Sequence, residues 1–201
     1  MKRILSLIVI ACCAVSANAY IFQGIDVDVE AWTGTGENET ILVVDWNKID
    51  NGLDTVSESH AFGFRWDGVV YESEMLAAFN DAGILAVTTG YGGAFLSNIG
   101  YVDEDDNEVH MHLEEGSWNL ASTTDPYAVW GTWGDSEWDF NTAGIDAEPL
   151  ANGQFEGINA IMWFDVLPVY ADDQLDIPVV PEPATITLLC LGTLGLLRKK
   201  Q

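Results

Sequence analysis

The sequence predicts a mainly β protein, with sandwich-like antiparallel sheets and one short α-helix. Residues 25–31 alternate apolar with acidic side chains, which is the pattern of a strand with one buried face. Residues 41–44 are four consecutive apolar side chains, which indicates a strand buried on both faces. Phe62, Phe64 and Trp66 are spaced to share one side of a third strand.

The other strands follow from the same periodicity and from turn residues. Asp67-Gly68 is a hairpin turn pair, and residues 69–71 are the predicted returning strand. Further strands are predicted at 84–88, 94–102, 128–133 and 158–166, and residues 90–93 are predicted to form a loop.

One helix is predicted over residues 72–82, where acidic residues fill the first turn. Ser73 or Glu72 is the expected N-terminal cap, and Gly83 is the expected stop. The apolar side of this helix is formed by three residues with helical spacing: Met75, Leu76 and Phe79.

Residues 1–19 have the three parts of a secretory signal peptide. A basic start, Met1-Lys2-Arg3, precedes an apolar run. Ala17 and Ala19 then form the cleavage motif, so the mature chain is expected to begin at Tyr20.

The cysteines all fall in the two ends of the chain: Cys12 and Cys13 near the start, and Cys190 near the end. Residues 9–12 also form a loose lipobox, so a lipid on Cys12 is an alternative to cleavage by signal peptidase. The body, residues 20–170, is predicted to be one domain without disulfides. Its core alone must stabilise it, which a chain of this size can achieve by burying roughly 70% of its surface.

The tail has four parts in order. Residues 171–180 are a predicted spacer, Pro181-Glu182-Pro183 form a box, residues 184–197 are an apolar run, and Arg198-Lys199-Lys200 are basic. The apolar run is shorter than the roughly 20 residues of a bilayer-spanning helix. Three cations after it are expected to stay in the cytoplasm. A hydrophobic helix docked on the domain is the alternative.

This tail resembles the PEP-CTERM sorting signal of bacterial exported proteins. The sorting residues would be these six: Pro181, Glu182, Pro183, Arg198, Lys199 and Lys200. The resemblance implies that an exosortase, a membrane protease-transpeptidase, cuts at the box and transfers the protein to another anchor. It therefore implies export by the secretion machinery, a transient inner-membrane anchor, and a final place at the cell surface, outer membrane or extracellular matrix, where exopolysaccharide is a further partner.

The body carries a looser pattern: Trp32-Thr33-Gly34-Thr35-Gly36, then Val44-Asp45-Trp46, then residues 63–68. It is similar to a pattern in uncharacterised exported bacterial domains, and this similarity implies no function.

The charge of the body restricts its partners. Between the two end signals only Lys48 and Arg65 are basic, against 31 acidic residues, so the net charge is about −29. Nucleic acid is excluded because phosphate binding needs a cationic surface. Cations, above all Ca²⁺, and neutral polymers such as sugars are favoured. The alternative is a solvated acidic surface that keeps an exported protein soluble, with Arg65 as a structural ion-pair partner.

One acidic turn has the ligand spacing of a calcium loop. Asp103, Asp105 and Asn107 alternate, and Glu114 follows where an EF-hand has its last ligand. Glu108 stands where an EF-hand needs glycine, so an EF-hand is disfavoured. A different Ca²⁺ clasp or a plain hairpin turn remains. On the following strand His110 and His112 share one face, which suits a transition metal or a solvated surface.

Aromatic residues crowd the stretch 118–140. Exposed rings would stack on sugars, and buried rings would fill the core. Trp133 and Trp138 are the candidate sugar-binding residues. Trp138, which lies between Glu137 and Asp139, is the ring expected to be exposed.

No catalytic arrangement is evident in the sequence. Acid pairs such as Asp135, Glu137 and Asp139 suit a glycosidase, but a domain with 31 acidic residues contains such pairs by chance. The sequence therefore predicts a non-enzymatic exported surface or matrix protein. A carbohydrate-binding module is the first alternative and a hydrolase the second.

Overall fold

The computed structural model describes residues 19–46, 49–50, 53–54, 59–102, 109–111, 117–128, 137–161, 175 and 177–180. In these residues the chain is mainly β with one α-helix, α1 (Glu72–Asp81), as the sequence predicts. The strands are β1 (Ala19–Phe22), β2 (Ile25–Gly34), β3 (Asn38–Asp45), β4 (Ile49–Asp50), β5 (Leu53–Asp54), β6 (Ser59–Trp66), β7 (Ala86–Gly90), β8 (Phe95–Val102), β9 (Val109–Met111), β10 (Ser117–Thr123), β11 (Asp139–Phe140) and β12 (Phe155–Ile161).

The main sheet has seven strands in the order β1-β2-β6-β3-β12-β10-β11. A second sheet of β7, β8 and β9 is antiparallel, and β4 pairs with β5. The prediction of antiparallel sheets is wrong for two pairs of the main sheet, since β2 runs parallel to β6 and β3 runs parallel to β12, whereas its other four pairs are antiparallel. β6 inserts between β2 and β3, and β12 returns from near the end of the domain. Local periodicity contains no information about such long-range pairing.

Strand β3 is buried on both faces, which confirms the prediction from its apolar run. Its even-numbered residues Leu42 and Val44 face one core, and its odd-numbered residues Ile41 and Val43 face another. All four are fully buried. The two faces of the main sheet therefore carry separate cores. We call the side of Leu42 and Val44 the front face, and the side of Ile41 and Val43 the back face.

The front face carries α1 and the second sheet. Phe79 of the helix is fully buried, and its ring lies 6.0 Å from that of Phe62 and 6.1 Å from that of Phe64. Leu96 and Ile99 of β8 join the same core. The second sheet thus covers part of the main sheet.

The back face has a separate core. Its residues from the central strands are Val27, Val29, Ile41, Val43 and Phe155. Trp138 and Leu175, which lie outside those strands, close this core. In β2 the apolar residues of the alternating stretch point into this core, as predicted.

The helix begins at Glu72 as predicted, but its N-cap lies one residue before the predicted caps. Tyr71 is the N-cap, and its backbone N–H donates to the Glu74 carboxylate at 3.0 Å, so neither Ser73 nor Glu72 caps the helix. Gly83 follows in the left-handed region at φ 71° and donates to the Asn80 carbonyl at 3.0 Å. The predicted glycine stop is confirmed.

The predicted returning strand after the Asp67-Gly68 turn is wrong. Val70 instead accepts a hydrogen bond from the backbone N–H of Leu150 at 2.8 Å, and Tyr71 bridges to Pro149. The segment pairs with a distant loop, because that loop closes over the start of α1.

Arg65 has the structural role predicted for it. Its Nε lies 3.6 Å from a carboxylate oxygen of Glu39, and its guanidinium lies 4.5 Å from the ring centre of Trp32. The Trp32 ring packs on Gly63, where an added Cβ would come within 2.2 Å of the indole.

The last described residues pack on the domain. The backbone N–H of Asp28 donates to the Pro178 carbonyl at 2.9 Å, and the N–H of Val180 donates to the Asp26 carbonyl at 2.9 Å. Leu175 is only 2% exposed in the back core. The described part of the predicted spacer is therefore a strand-like extension of the fold. We call residues 175 and 177–180 the tail strap.

Candidate functional site

Three glutamates line a small pocket on the front face, at the start of α1. Glu72 comes from the helix, Glu148 from the loop before β12, and Glu156 from β12 itself. Ser122, Asn141 and Gln154 complete its polar lining. We call this volume the acidic pocket. Its described lining contains no lysine or arginine.

Asn141 fixes one wall of the pocket. Its side-chain oxygen accepts from the backbone N–H groups of Ala143 at 2.9 Å and Gly144 at 3.2 Å. Its side-chain nitrogen donates to the Glu72 carboxylate at 2.6 Å. Gly144 has φ 99°, and a Cβ there would lie 2.7 Å from the Ala94 carbonyl oxygen, so only glycine fits this turn. The rigid loop therefore holds Asn141 against the carboxyl of Glu72.

Glu156 is the least accessible of the three carboxyls. It lies between Leu42 of β3 and Ser122 of β10 in the middle of the main sheet, and it is 5% exposed. No hydrogen bond from the described residues reaches its carboxyl.

Burial controls the protonation of this site. It raises the pKa of the Glu72 carboxyl to about 7, although the hydrogen bond from Asn141 acts in the opposite direction. The charge of Glu148 adds to the rise. Burial also raises the pKa of Glu156 well above its usual range, and the charges of Glu72 and Glu148 raise it further. Near neutral pH the pocket therefore holds protons that exposed carboxylates would have lost.

The size of the pocket limits what it can bind. Its volume is about 40 Å³. A single water needs roughly 10–15 Å³ on this measure, so the pocket accommodates a few waters or one small ion. A sugar ring does not fit, and this conformation is therefore not that of a glycosidase site. Among the described residues, no three His, Cys, Asp or Glu side chains are gathered as ligands around one point.

The sequence does not predict this pocket. It indicates Glu72 only as a helix cap, and it does not distinguish Glu148 or Glu156 from the other acidic residues. One local signal was present, since extending the predicted strand 158–166 backwards places Glu156 on the same side as Ile158. Nothing local indicated that Glu72 would lie beside it.

Many of the residues predicted for metal binding, sugar binding, signal cleavage and sorting lie outside the described part of the chain. These are Asp103, Asp105, Asn107, Glu114, Trp133, Ala17, Pro181, Glu182, Pro183, Arg198, Lys199 and Lys200. Ala19 is the first residue of β1 and pairs with Asp28. His110 lies in β9 opposite Tyr101, whereas His112 is not described.

The expected exposure of Trp138 is wrong. Its ring is 3% exposed in the back core, and its indole N–H donates to the Ala128 carbonyl at 3.1 Å. The acidic neighbours Glu137 and Asp139 are exposed. Alternation along the chain turns the ring inward between them, so charged neighbours did not predict an exposed ring.

A different pair of aromatic rings is exposed, at the tip of the β7–β8 hairpin. Tyr91 is 91% exposed and Phe95 is 52% exposed, with ring centres 5.7 Å apart in an edge-to-face arrangement. The predicted loop at residues 90–93 is present, and it contains a turn of 3-10 helix. Tyr91 has φ 52°, a left-handed conformation that is uncommon outside glycine, and glycines 92 and 93 follow it.

The C-terminal end of the described chain leads into the predicted sorting signal. The tail strap ends at Val180, the last described residue, and the predicted box at residues 181–183 follows it directly in the sequence. A comparison with protein families matches residues 179–201 to the PEP-CTERM protein-sorting motif. The resemblance predicted for the tail is confirmed. The motif is that of exported bacterial proteins that cross a membrane and are recognised by an exosortase.

Comparison with curated proteins and with solved structures found no similar protein for this chain. In the described residues no helix combines the length and the apolar character needed to span a membrane. The predicted apolar helix at 184–197 and residues 1–18 of the signal peptide lie outside those residues.

Proposed function

We propose that this chain is a non-enzymatic component of the bacterial cell surface or extracellular matrix, delivered and processed through its C-terminal tail. The sorting motif at residues 179–201 carries this proposal. A folded, strongly acidic domain with its box directly after the tail strap is suited to display on the surface, since its charge keeps it soluble. We propose both the final location at the surface or in the matrix and the absence of enzymatic activity.

Replacing Pro181-Glu182-Pro183 by three alanines is expected to leave the exported protein membrane-held, with its tail intact. The exosortase reads the box, so without it the apolar run stays in the membrane. Mass spectrometry of the C-terminus and fractionation of membrane and surface material measure the outcome.

The matched control replaces three residues upstream of the box, Asp172-Asp173-Gln174, by alanine. This variant is expected to be processed like the unchanged protein. An intact Gln201 on the exported, unchanged protein contradicts the proposal.

A carbohydrate-binding role is the second candidate, and the exposed pair of Tyr91 and Phe95 favours it. Aromatic faces stack on the apolar faces of sugar rings, and a neutral polysaccharide avoids the repulsion that a net charge of about −29 imposes on anionic polymers. The left-handed conformation of Tyr91 is a local strain of the kind that occurs at ligand-binding positions.

The variant Tyr91→Ala, Phe95→Ala is expected to weaken binding to a neutral polysaccharide by roughly tenfold, which corresponds to about 1.4 kcal/mol. Affinity electrophoresis through gels containing dextran, β-glucan or galactomannan measures the retardation. Tyr127→Ala is the control, because Tyr127 is 76% exposed and lies outside the pair. Equal retardation of all three proteins eliminates the role of the pair.

A further inference from the structure

The tail strap is held on β2 by two backbone hydrogen bonds. The N–H of Asp28 donates to the Pro178 carbonyl, and the N–H of Val180 donates to the Asp26 carbonyl, each at 2.9 Å. β1 pairs with the same part of β2, residues 25–28. The end of the strap therefore extends the sheet beside β2, up to the last residue before the predicted box.

The side-chain contacts of the strap weaken toward the box. Leu175 is 2% exposed in the back core, and Ile177 is partly buried against that core. Val179, two residues further on, is 53% exposed. Segments with few buried apolar contacts open locally at a low free-energy cost. The end of the strap next to the box is therefore the part that detaches most easily.

The docked strap leaves a protease little free chain to bind. Val180 is followed directly by Pro181, the first residue of the box. A partner that binds a peptide in extended form uses the backbone N–H and C=O groups of that peptide. In the strap, the Pro178 carbonyl and the Val180 N–H are already bonded to β2. Cleavage close to a folded segment of this kind proceeds through a locally opened state.

We propose that the tail strap controls processing, because it must leave β2 before an exosortase can cut at Pro181-Glu182-Pro183. This inference rests on the proposed processing at the box. When opening and closing of the strap are fast, the rate of cutting follows the fraction of molecules in which the strap is open. The folded body thereby limits access to its own sorting signal.

A disulfide between positions 27 and 179 tests this proposal by locking the strap in place. Val27 and Val179 form an antiparallel bridge, and the two backbone hydrogen bonds lie on either side of it. In such a non-hydrogen-bonded pair the Cα atoms are about 4.5 Å apart, within the roughly 4.4–6.8 Å that disulfides span. Residues 20–180 contain no native cysteine. Cys190→Ser in every protein compared removes the cysteine of the tail.

The doubly substituted protein, Val27→Cys with Val179→Cys, is expected to lose processing in a bacterium that exports and cuts the parent protein. Mass spectrometry identifies the linked peptides and the intact Gln201. Dithiothreitol, which reduces the disulfide, is expected to restore the cut. Each single-cysteine variant is a matched control and is expected to be processed like the parent, because it cannot close the bridge.

Leu175→Ala tests the same proposal in the opposite direction, without a disulfide. It loosens the strap, so pulse-chase labelling is expected to show its tail removed roughly tenfold faster than that of Val179→Ala. Equal rates for these two variants, or cutting of the disulfide-linked protein at the rate of the single-cysteine controls, overturn the role of the strap. A parent protein that keeps Gln201 after export overturns the proposed processing itself.

Discussion

Replacing Glu72 by Gln will stabilise the domain by about 3 kcal/mol at about pH 8 and by less than about 1 kcal/mol at about pH 5. In the folded chain the pKa of Glu72 is raised to about 7 by burial, from an ordinary value of 4.5. Between these two values the folded chain keeps a proton that the unfolded chain releases. Stability from this group is therefore fully present below the ordinary value and is lost as the pH rises through about 7.

Glutamine does not ionise, so it removes this loss of stability at high pH, and it keeps the hydrogen bond with Asn141. Its side-chain oxygen accepts the hydrogen bond that Asn141 donates to Glu72, so the wall of the pocket is preserved. Glu156→Gln is expected to act in the same direction and to extend the effect to higher pH, because burial raises the pKa of Glu156 as well. Like charge couples the two sites, so their effects will not be additive.

Urea melts in EDTA across the pH range measure this effect, since the chelator removes any bound divalent ion. Glu37→Gln is the control, because Glu37 is exposed and a surface change is expected to stay within about 0.5 kcal/mol. If Glu72→Gln gives the same stability difference at both pH values, the carboxyl is not held in a buried environment.

Replacing Leu175 by Ala will destabilise the domain by roughly 2–5 kcal/mol. Leu175 is 2% exposed and packs in the back core with residues from the opposite end of the chain, such as Phe22 and Ile25. Removing its side chain leaves a cavity that the sheet cannot close. The lost contacts lie directly before the sorting box, so the variant also tests whether the tail strap belongs to the fold.

Val179→Ala is the matched control in the same strap. Val179 is 53% exposed, although its backbone bridges to Val27, so its truncation is expected to change stability by no more than about 0.5 kcal/mol. Denaturant melts of the two variants give the comparison. If Leu175→Ala and Val179→Ala are equally stable, residues 171–180 are the free spacer that the sequence predicts.

The sequence by itself determined the local elements and the sorting motif of the tail. Alternation in β2 and the spaced aromatics of β6 predict strands, because side chains along a strand alternate between its two faces. The apolar run of β3 predicts a strand with a core on each face. The helix was predictable from Met75, Leu76 and Phe79 and from the glycine after it. The sorting motif was recognisable from the sequence because its box, apolar run and basic end are contiguous in the chain.

Tertiary structure alone decided which strands are neighbours and where the candidate sites lie. Local patterns show that a strand has a buried face but not what buries it, so the parallel pairs β2–β6 and β3–β12 were not predictable. The same limit explains Trp138, whose acidic neighbours point outward while its own ring turns in.

The acidic pocket shows the limit most clearly. Glu72, Glu148 and Glu156 are three among 32 acidic residues, and each is unremarkable where it stands in the chain. They become a site only because β12 returns beside β3, under the start of α1, and the loop before it closes over the helix. Burial raises the pKa of the Glu72 and Glu156 carboxyls, and the charge of Glu148 adds to the rise. Only the folded chain creates both conditions.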